Sequence, residues 1–301
     1  MTLPGPQGPL TGEALLIDAA PAAVVIIPGS GPTDRDGNSP QGMQSDTYKL
    51  LAEALATRGI SSLRIDKRGM FASAGAIADA EAVTIDVYAR DARGWARALA
   101  ERTGLPCTWL AGHSEGGLVA LVAAAGAAPD AAEAPLCGVV LLAAPGRPLG
   151  QLMREQLHAN PMNGPYLAEL DEAIDALEQG AMVDPDTVSA PLRPLFRPGL
   201  QRYMIQLFAY DPAAVAGQVQ LPVLILQGGR DLQVTLEDAA ALAAAMPAAR
   251  QVTYPAMTHM LKADQPGQPF ASYTDPSLPL VPELVEDLVG FVTAPAPDSD
   301  G

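Results

Sequence analysis

An α/β fold organised around one mostly parallel β-sheet is predicted by two features of the sequence. Short apolar runs alternate with longer helix-periodic segments, and most of those runs are apolar at nearly every position, as strands covered on both faces must be. The runs lie at residues 14–17, 24–27, 62–65, 108–111, 138–143, 223–227 and 251–254, giving a sheet of about seven strands. Between them, Ile85, Tyr88, Ala92, Trp95 and Leu99 recur at steps of three and four, which puts one apolar face on a helix. Residues 50–58 form another helical stretch, stopped by Gly59. A chain of 301 residues suffices for one large α/β domain. It is 49 % hydrophobic with only five Phe and two Trp, so Ala, Leu and Val must fill most of the core.

The alternation is interrupted once. Residues 146–217 carry several prolines, no convincing strand, and helical patches at 149–157 and 167–177, so they read as a helical lid inserted into a core formed by residues 1–145 and 218–293. A helix is expected over 281–292, and residues 294–301 are expected to be a disordered tail.

Charge excludes some functions. A formal net charge of −16 with no basic cluster repels a phosphate backbone, so nucleic acid is not an expected partner. The first ten residues hold no Lys or Arg and are broken by Pro4, Pro6 and Pro9, unlike a secretory signal. No apolar run approaches the roughly 20 residues of a membrane span, and a soluble, cytoplasmic protein is the expectation. Cys107 and Cys137 lack metal-ligand spacing; each immediately precedes a strand, so the two can lie side by side at the sheet's edge. They are expected to be reduced structural thiols.

The chemistry begins at Gly112-His113-Ser114-Glu115-Gly116-Gly117, where an apolar strand runs through a Gly-rich turn into an Ala/Leu/Val-rich helix. The G-x-S-x-G pattern alone is moderately specific; the strand-turn-helix context is what points to a nucleophile lifted above a sheet. Ser needs a base, and only three histidines are available. His113 lies inside the turn and His158 in the insertion, which leaves His259, on the loop after the last strand. The orienting carboxylate should follow a strand between the two. The run ending at Ala143 leads to no acid, whereas the run ending at Gln227 leads to Gly228-Gly229-Arg230-Asp231, so Asp231 is the candidate. Acyl transfer also needs N–H donors for the oxyanion. Glu115 is one, and Ser30, in Pro28-Gly29-Ser30-Gly31-Pro32, is the expected second.

These segments together resemble the α/β-hydrolase family from about Val24 to Val292, and in particular its esterase-like members. The resemblance rests on residues 27–38, with their Pro-Gly-Ser-Gly-Pro turn and Asp-Arg-Asp-Gly-Asn continuation, on Asp66-Lys67-Arg68-Gly69, on 112–117, and on 228–234 with 258–262. It implies the same set: Ser114, Asp231 and His259, with Ser30 and Glu115 as backbone donors. Two departures stand out. Phe71 occupies a position where members commonly have a second glycine, and the short segment before Val24 leaves room for one edge strand fewer. Asp34, Arg35 and Asp36 either line the site entrance or form a self-paired cluster that fixes their own loop.

The expectation is a serine hydrolase acting on small to medium carboxylic esters, with no cofactor and no metal. Met153, Leu157, Leu195, Phe196, Tyr203, Met204, Leu207 and Phe208 are available to line an acyl pocket. A peptidase or thioesterase would use the same residues. A dehalogenase or epoxide hydrolase would have Asp in place of Ser114, and a non-catalytic binding module would not require a Ser, Asp, His set.

Overall fold

The structure, a computed structural model, describes residues 1–126 and 136–294. Eight strands form its main sheet: β1 (Thr2–Pro4), β2 (Pro9–Leu15), β3 (Ala23–Ile27), β4 (Ser61–Ile65), β5 (Thr108–His113), β6 (Leu136–Leu142), β7 (Val223–Gly228) and β8 (Arg250–Tyr254). Their order across the sheet is β1-β2-β4-β3-β5-β6-β7-β8. From β4 to β8 all neighbours are parallel, while β2 runs antiparallel to both β1 and β4. The strands β3, β4, β5 and β7 are buried at every position, which is why β3 and most of β7 are apolar without alternation.

Ten α-helices accompany the sheet among the described residues: α1 (Thr47–Ala56), α2 (Ile85–Thr103), α3 (Glu115–Ala125), α4 (Leu149–Ala159), α5 (Leu167–Glu178), α6 (Pro198–Phe208), α7 (Pro212–Ala216), α8 (Leu236–Ala245), α9 (Ala271–Thr274) and α10 (Pro282–Val292). Successive strand residues feed opposite faces. Val25, Ile27, Leu110 and Ile225 pack with α2, α3 and α8, whereas Val24, Ile26, Ala111 and Leu226 pack with α1 and α10. The stripe Ile85, Tyr88, Ala92, Trp95 and Leu99 is buried as its spacing requires. Thr84 caps that helix by accepting the Val87 N–H, a contact worth about 1 kcal/mol, and Gly104 ends it at φ 74°.

Between β6 and β7 no strand occurs among the described residues. There α4, α5 and α6 share a third apolar cluster, built from Leu170, Leu177, Leu192, Phe196 and Met204. α7 packs on α3 and α8, with Ala216 in the sheet-face core.

Several expectations are corrected. The N-terminal segment supplies edge strands after all: β1 and β2 pair as an antiparallel ribbon despite Pro4 and Pro9, because Pro4 lies on the edge strand and Pro9 is the first residue of β2, positions that tolerate a missing N–H. The first helix starts at Thr47, before the predicted residue 50. Phe71, in place of the glycine, takes φ 47° at the start of a 3-10 turn that runs to Ala76. The tail expected to be disordered lies, from residue 295, outside the described residues.

The cysteines are not reduced thiols. Cys107 and Cys137 form a disulfide with their Cα atoms 5.2 Å apart. Both stand at the start of neighbouring parallel strands, so the register that pairs Thr108 with Leu136 brings the thiols together. The bond closes a loop of 30 residues, and a loop of that size restricts the unfolded chain by about 3–4 kcal/mol. The C107S/C137S variant is expected to unfold at lower urea concentration, with a loss of about 3 kcal/mol read from the denaturation midpoint. An unchanged midpoint would mean that the bridge contributes nothing to stability.

Candidate active site

All the candidate residues lie at the end of the sheet where the parallel strands finish. Ser114 follows β5 directly and precedes α3, with φ 55° and ψ −125°, a backbone conformation that costs a non-glycine residue about 1–3 kcal/mol. The turn is over-determined by its surroundings. Ser114 N–H donates to Leu142 O at 3.0 Å, and Gly117 N–H donates to Ser114 O at 2.8 Å. Gly116 must lack a side chain, because a Cβ there would lie 2.6 Å from the carbonyl oxygen of Pro28 and closer still to that of Ile27. The same tight approach brings the loop after β3 to Ser114: a Cβ on Gly29 would stand 3.2 Å from Cβ of Ser114.

Asp231 and His259 meet. His259 Nδ1 and Asp231 Oδ2 are 2.8 Å apart, and both residues are buried. The other carboxylate oxygen accepts the N–H groups of Gln233 at 2.8 Å and Val234 at 2.9 Å, while Gln227 Nε2 donates to Oδ2 at 3.3 Å. Burial pushes the Asp231 pKa up, but the His259 charge and these hydrogen bonds outweigh it and hold the carboxyl below its usual value. An ionised Asp231 keeps the proton on Nδ1, so the lone pair of His259 is on Nε2, the nitrogen a general base uses. No hydrogen bond joins Ser114 Oγ to His259 Nε2 among the described residues; such contacts commonly tighten only when substrate binds.

His113 does a different job from its neighbour. Gly29 N–H donates to the Tyr48 hydroxyl at 2.9 Å, Tyr48 Oη and His113 Nδ1 are 2.8 Å apart, and His113 Nε2 lies 2.8 Å from His259 O. Only one proton arrangement satisfies the chain: Tyr48 donates to Nδ1 and His113 donates from Nε2 to the carbonyl. A neutral imidazole thereby ties the loop at Gly29, α1, the turn at Ser114 and the His259 loop together. Burial, reinforced by the nearby His259, pushes the His113 pKa down to about 3. His158, on α4, is exposed and hydrogen-bonds Asp171, so it takes no part.

The two expected donors also adjoin. Neither Ser30 N–H nor Glu115 N–H has an acceptor among the described residues. Lys67, which no sequence signal singles out, is 3 % exposed, donates to Gly29 O at 2.5 Å and lies 3.5 Å from Glu115 Oε1. Of the two readings of the acidic-basic loop, the contacts match the fixing one, but the pairs reach across rather than within it. Arg35 grips Asp66 through its backbone and its guanidinium, Asp36 pairs with Arg64, and Asp34 accepts the N–H groups of Asp36 and Asn38.

A cavity of about 670 Å³ opens beside this cluster. Ser30, Lys67 and Glu115 line it on one side, and Met153, Leu157, Ile174, Phe196, Tyr203 and Leu207, from the segment between β6 and β7, line much of the remainder. Ser114, Asp231 and His259 are outside its walls, so the cavity adjoins the site on the Ser30 and Glu115 side. Among the described residues no cluster of His, Cys, Asp and Glu has the makings of a metal site, and no helix is long and apolar enough to cross a membrane.

A family model described as serine aminopeptidase, S33, matches residues 41–266. The chain belongs to this family of α/β-hydrolases. Among curated proteins, this family member is 30 % identical over 222 residues to the esterase EstD of Thermotoga maritima, an alignment that covers 72 % of this chain and 48 % of that protein. It thus spans about half the length of the curated relative it matches. Solved structures share its fold at low identity. Est1E of Butyrivibrio proteoclasticus with bound ferulic acid superposes with a TM-score of 0.60 at 18 % identity over 96 % of both chains. The enol-lactonase of Burkholderia xenovorans LB400 gives a TM-score of 0.57 at 20 % identity over 98 % of this chain and 100 % of that one.

The His113 tether makes acid stability testable. Its pKa in the folded protein is depressed below the unfolded value of about 6.5, so the stability it carries is complete above about 6.5 and is lost progressively as the pH falls towards about 3. Between pH 7 and pH 4.5 this group alone should remove about 2–3 kcal/mol. The H113Q variant is expected to be less stable than the parent at pH 7, with a smaller further loss at pH 4.5 in urea titrations. Parallel losses in both proteins would show that His113 does not titrate on unfolding.

Proposed function

We propose that the chain is a serine hydrolase that cleaves small to medium carboxylic esters through an acyl-enzyme on Ser114. The observation that carries this reading is the 2.8 Å contact of Asp231 with His259 beside a serine held at φ 55° on a strand-to-helix turn. In the first step His259 Nε2 takes the Ser114 proton as Oγ bonds to the acyl carbon, and the N–H groups of Ser30 and Glu115 receive the oxyanion. Collapse of the tetrahedral intermediate breaks the ester C–O bond, and the imidazolium returns its proton to the departing alkoxide. Water then repeats the sequence, losing a proton to His259, attacking the acyl carbon and releasing the acid with Ser114 restored. No step requires a cofactor or a metal ion.

The cavity supports an acyl site. His259 protonates the leaving group, so the alcohol leaves on the His259 side, and the apolar space on the Ser30 and Glu115 side is left for the acyl chain. Residues 146–217 act in this reading as a lid over that space. The ester resemblance to EstD agrees with it, and the family's peptidase description supplies the competing substrate class. Charge favours the ester: an aminopeptidase needs a carboxylate free to hold the substrate's ammonium, but Glu115 faces Lys67, and Glu81, on the cavity wall, pairs with Arg197 at 3.0 Å.

A panel of p-nitrophenyl esters from acetate to palmitate, with aminoacyl p-nitroanilides and a thioester alongside, tests the proposal. The expected optimum lies at small to medium acyl chains, and S114A should lose at least about 10³-fold in kcat. Turnover retained by S114A would remove the nucleophile, and an optimum among p-nitroanilides would transfer the reading to a peptidase. D231N is expected to fold normally and to lose about 10³–10⁴-fold in kcat, because an amide facing Nδ1 selects the wrong tautomer. A loss below tenfold would detach Asp231 from the mechanism.

A further inference from the structure

We infer that Lys67 is a positioning residue that sets the direction of the Ser30 N–H, and that the buried Lys67–Glu115 pair couples the two oxyanion donors into one unit. The inference rests on the proposed acyl transfer and assigns a role to a lysine that the mechanism leaves idle.

The geometry starts from one peptide. Gly29 C=O and Ser30 N–H belong to the same planar trans unit, so they point in opposite directions and cannot be turned independently. Lys67 Nζ donates to that oxygen at 2.5 Å from a buried position. A flip of the peptide would aim Ser30 N–H elsewhere, but it would also strip a buried ammonium of its carbonyl partner, which is costly at a buried position. The loop needs such a clamp. Gly29 and Gly31 flank Ser30, and Gly31 stands at φ 64°, with nothing within 4 Å of where its Cβ would be.

Lys67 is itself held. Its Nζ lies 3.5 Å from Glu115 Oε1 and 5.5 Å from the centre of the Tyr88 ring, and Glu115 is 5 % exposed. Glu115 supplies the other donor through its own backbone N–H, at the first position of α3. A closed circuit results: oxyanion, Ser30 N–H, Gly29 C=O, Lys67, the Glu115 carboxylate, Glu115 N–H and back to the oxyanion. A charge on the carbonyl end of a peptide also polarises its N–H, which strengthens the bond to a developing negative charge.

The test reads the transition state separately from the ground state. With p-nitrophenyl butyrate, K67M is expected to lose about 30–100-fold in kcat with KM within about twofold of the parent, less than deletion of a whole donor. The Ki of 1,1,1-trifluoro-2-octanone, which forms a tetrahedral adduct on Ser114, should rise by a similar factor. K67Q retains a neutral donor for Gly29 and is expected between the two, about tenfold below the parent in kcat. The double variant K67M/E115L should fall no more than about threefold below K67M, because both act through one circuit. Unchanged kcat and Ki in K67M, or a fall in kcat without a rise in Ki, would overturn the inference and leave the pair a structural one. Where K67M does not fold, K67Q decides in the same way: parental kcat and Ki overturn it. Absence of ester turnover by the parent, or turnover that survives S114A, would overturn the reading of the site itself and this inference with it; a parent that depends on Ser114 but is indifferent to Lys67 would overturn only the latter.

Discussion

The backbone of Gly116, at the start of α3, presses against the carbonyl oxygens of Ile27 and Pro28 at the end of β3. No side chain fits there, and the rest of the site depends on that close approach. It sets the turn at Ser114 against the loop that carries Gly29 and Ser30, and Ser30 and Glu115 both line the cavity beside it. Strain at Ser114 persists because a neighbouring strand and the following helix both hold it, β6 through Leu142 O and α3 through Gly117 N–H. The sheet is therefore less a scaffold beneath the site than a part of its geometry.

Around this contact the site is assembled from buried polar links between loops that are distant in sequence. Tyr48 and His113 connect residues 29 and 259, Lys67 connects residues 29 and 115, and Asp231 holds His259 while accepting two backbone N–H groups of its own turn. Each link is satisfied at both ends, which is the condition for a polar network to rigidify rather than destabilise an interior. Farther out, Arg35 with Asp66 and Arg64 with Asp36 tie the loop after β3 to the end of β4. These pairs restrain the loop that presents Ser30, although their partners lie about 30 residues away.

What could be read in the sequence was what has a local signature. Apolar runs located the strands, the stripe from Ile85 to Leu99 located α2, and the scarcity of histidine singled out His259. Asp231 stood out because a strand end with an acid is a local pattern. Contacts across the fold leave no such trace. Nothing in the spacing of Cys107 and Cys137 states that their strands are neighbours in register, so the bridge went unread. Lys67 reads as one basic residue of an Asp-Lys-Arg-Gly turn, and Tyr48 falls before the helix predicted from residue 50; only the sheet order places them beside Gly29. The N-terminal ribbon was masked by its prolines, which read as loop in a sequence and are tolerated at a sheet edge.

The central claim is that Ser114 is a nucleophile activated by His259. The most direct measurement is reaction of the intact protein with a fluorophosphonate, followed by mass spectrometric mapping of the adduct. The account predicts one adduct per chain, on Ser114, and none on S114A. No adduct on the parent protein, or an adduct that maps elsewhere and persists in S114A, would contradict it.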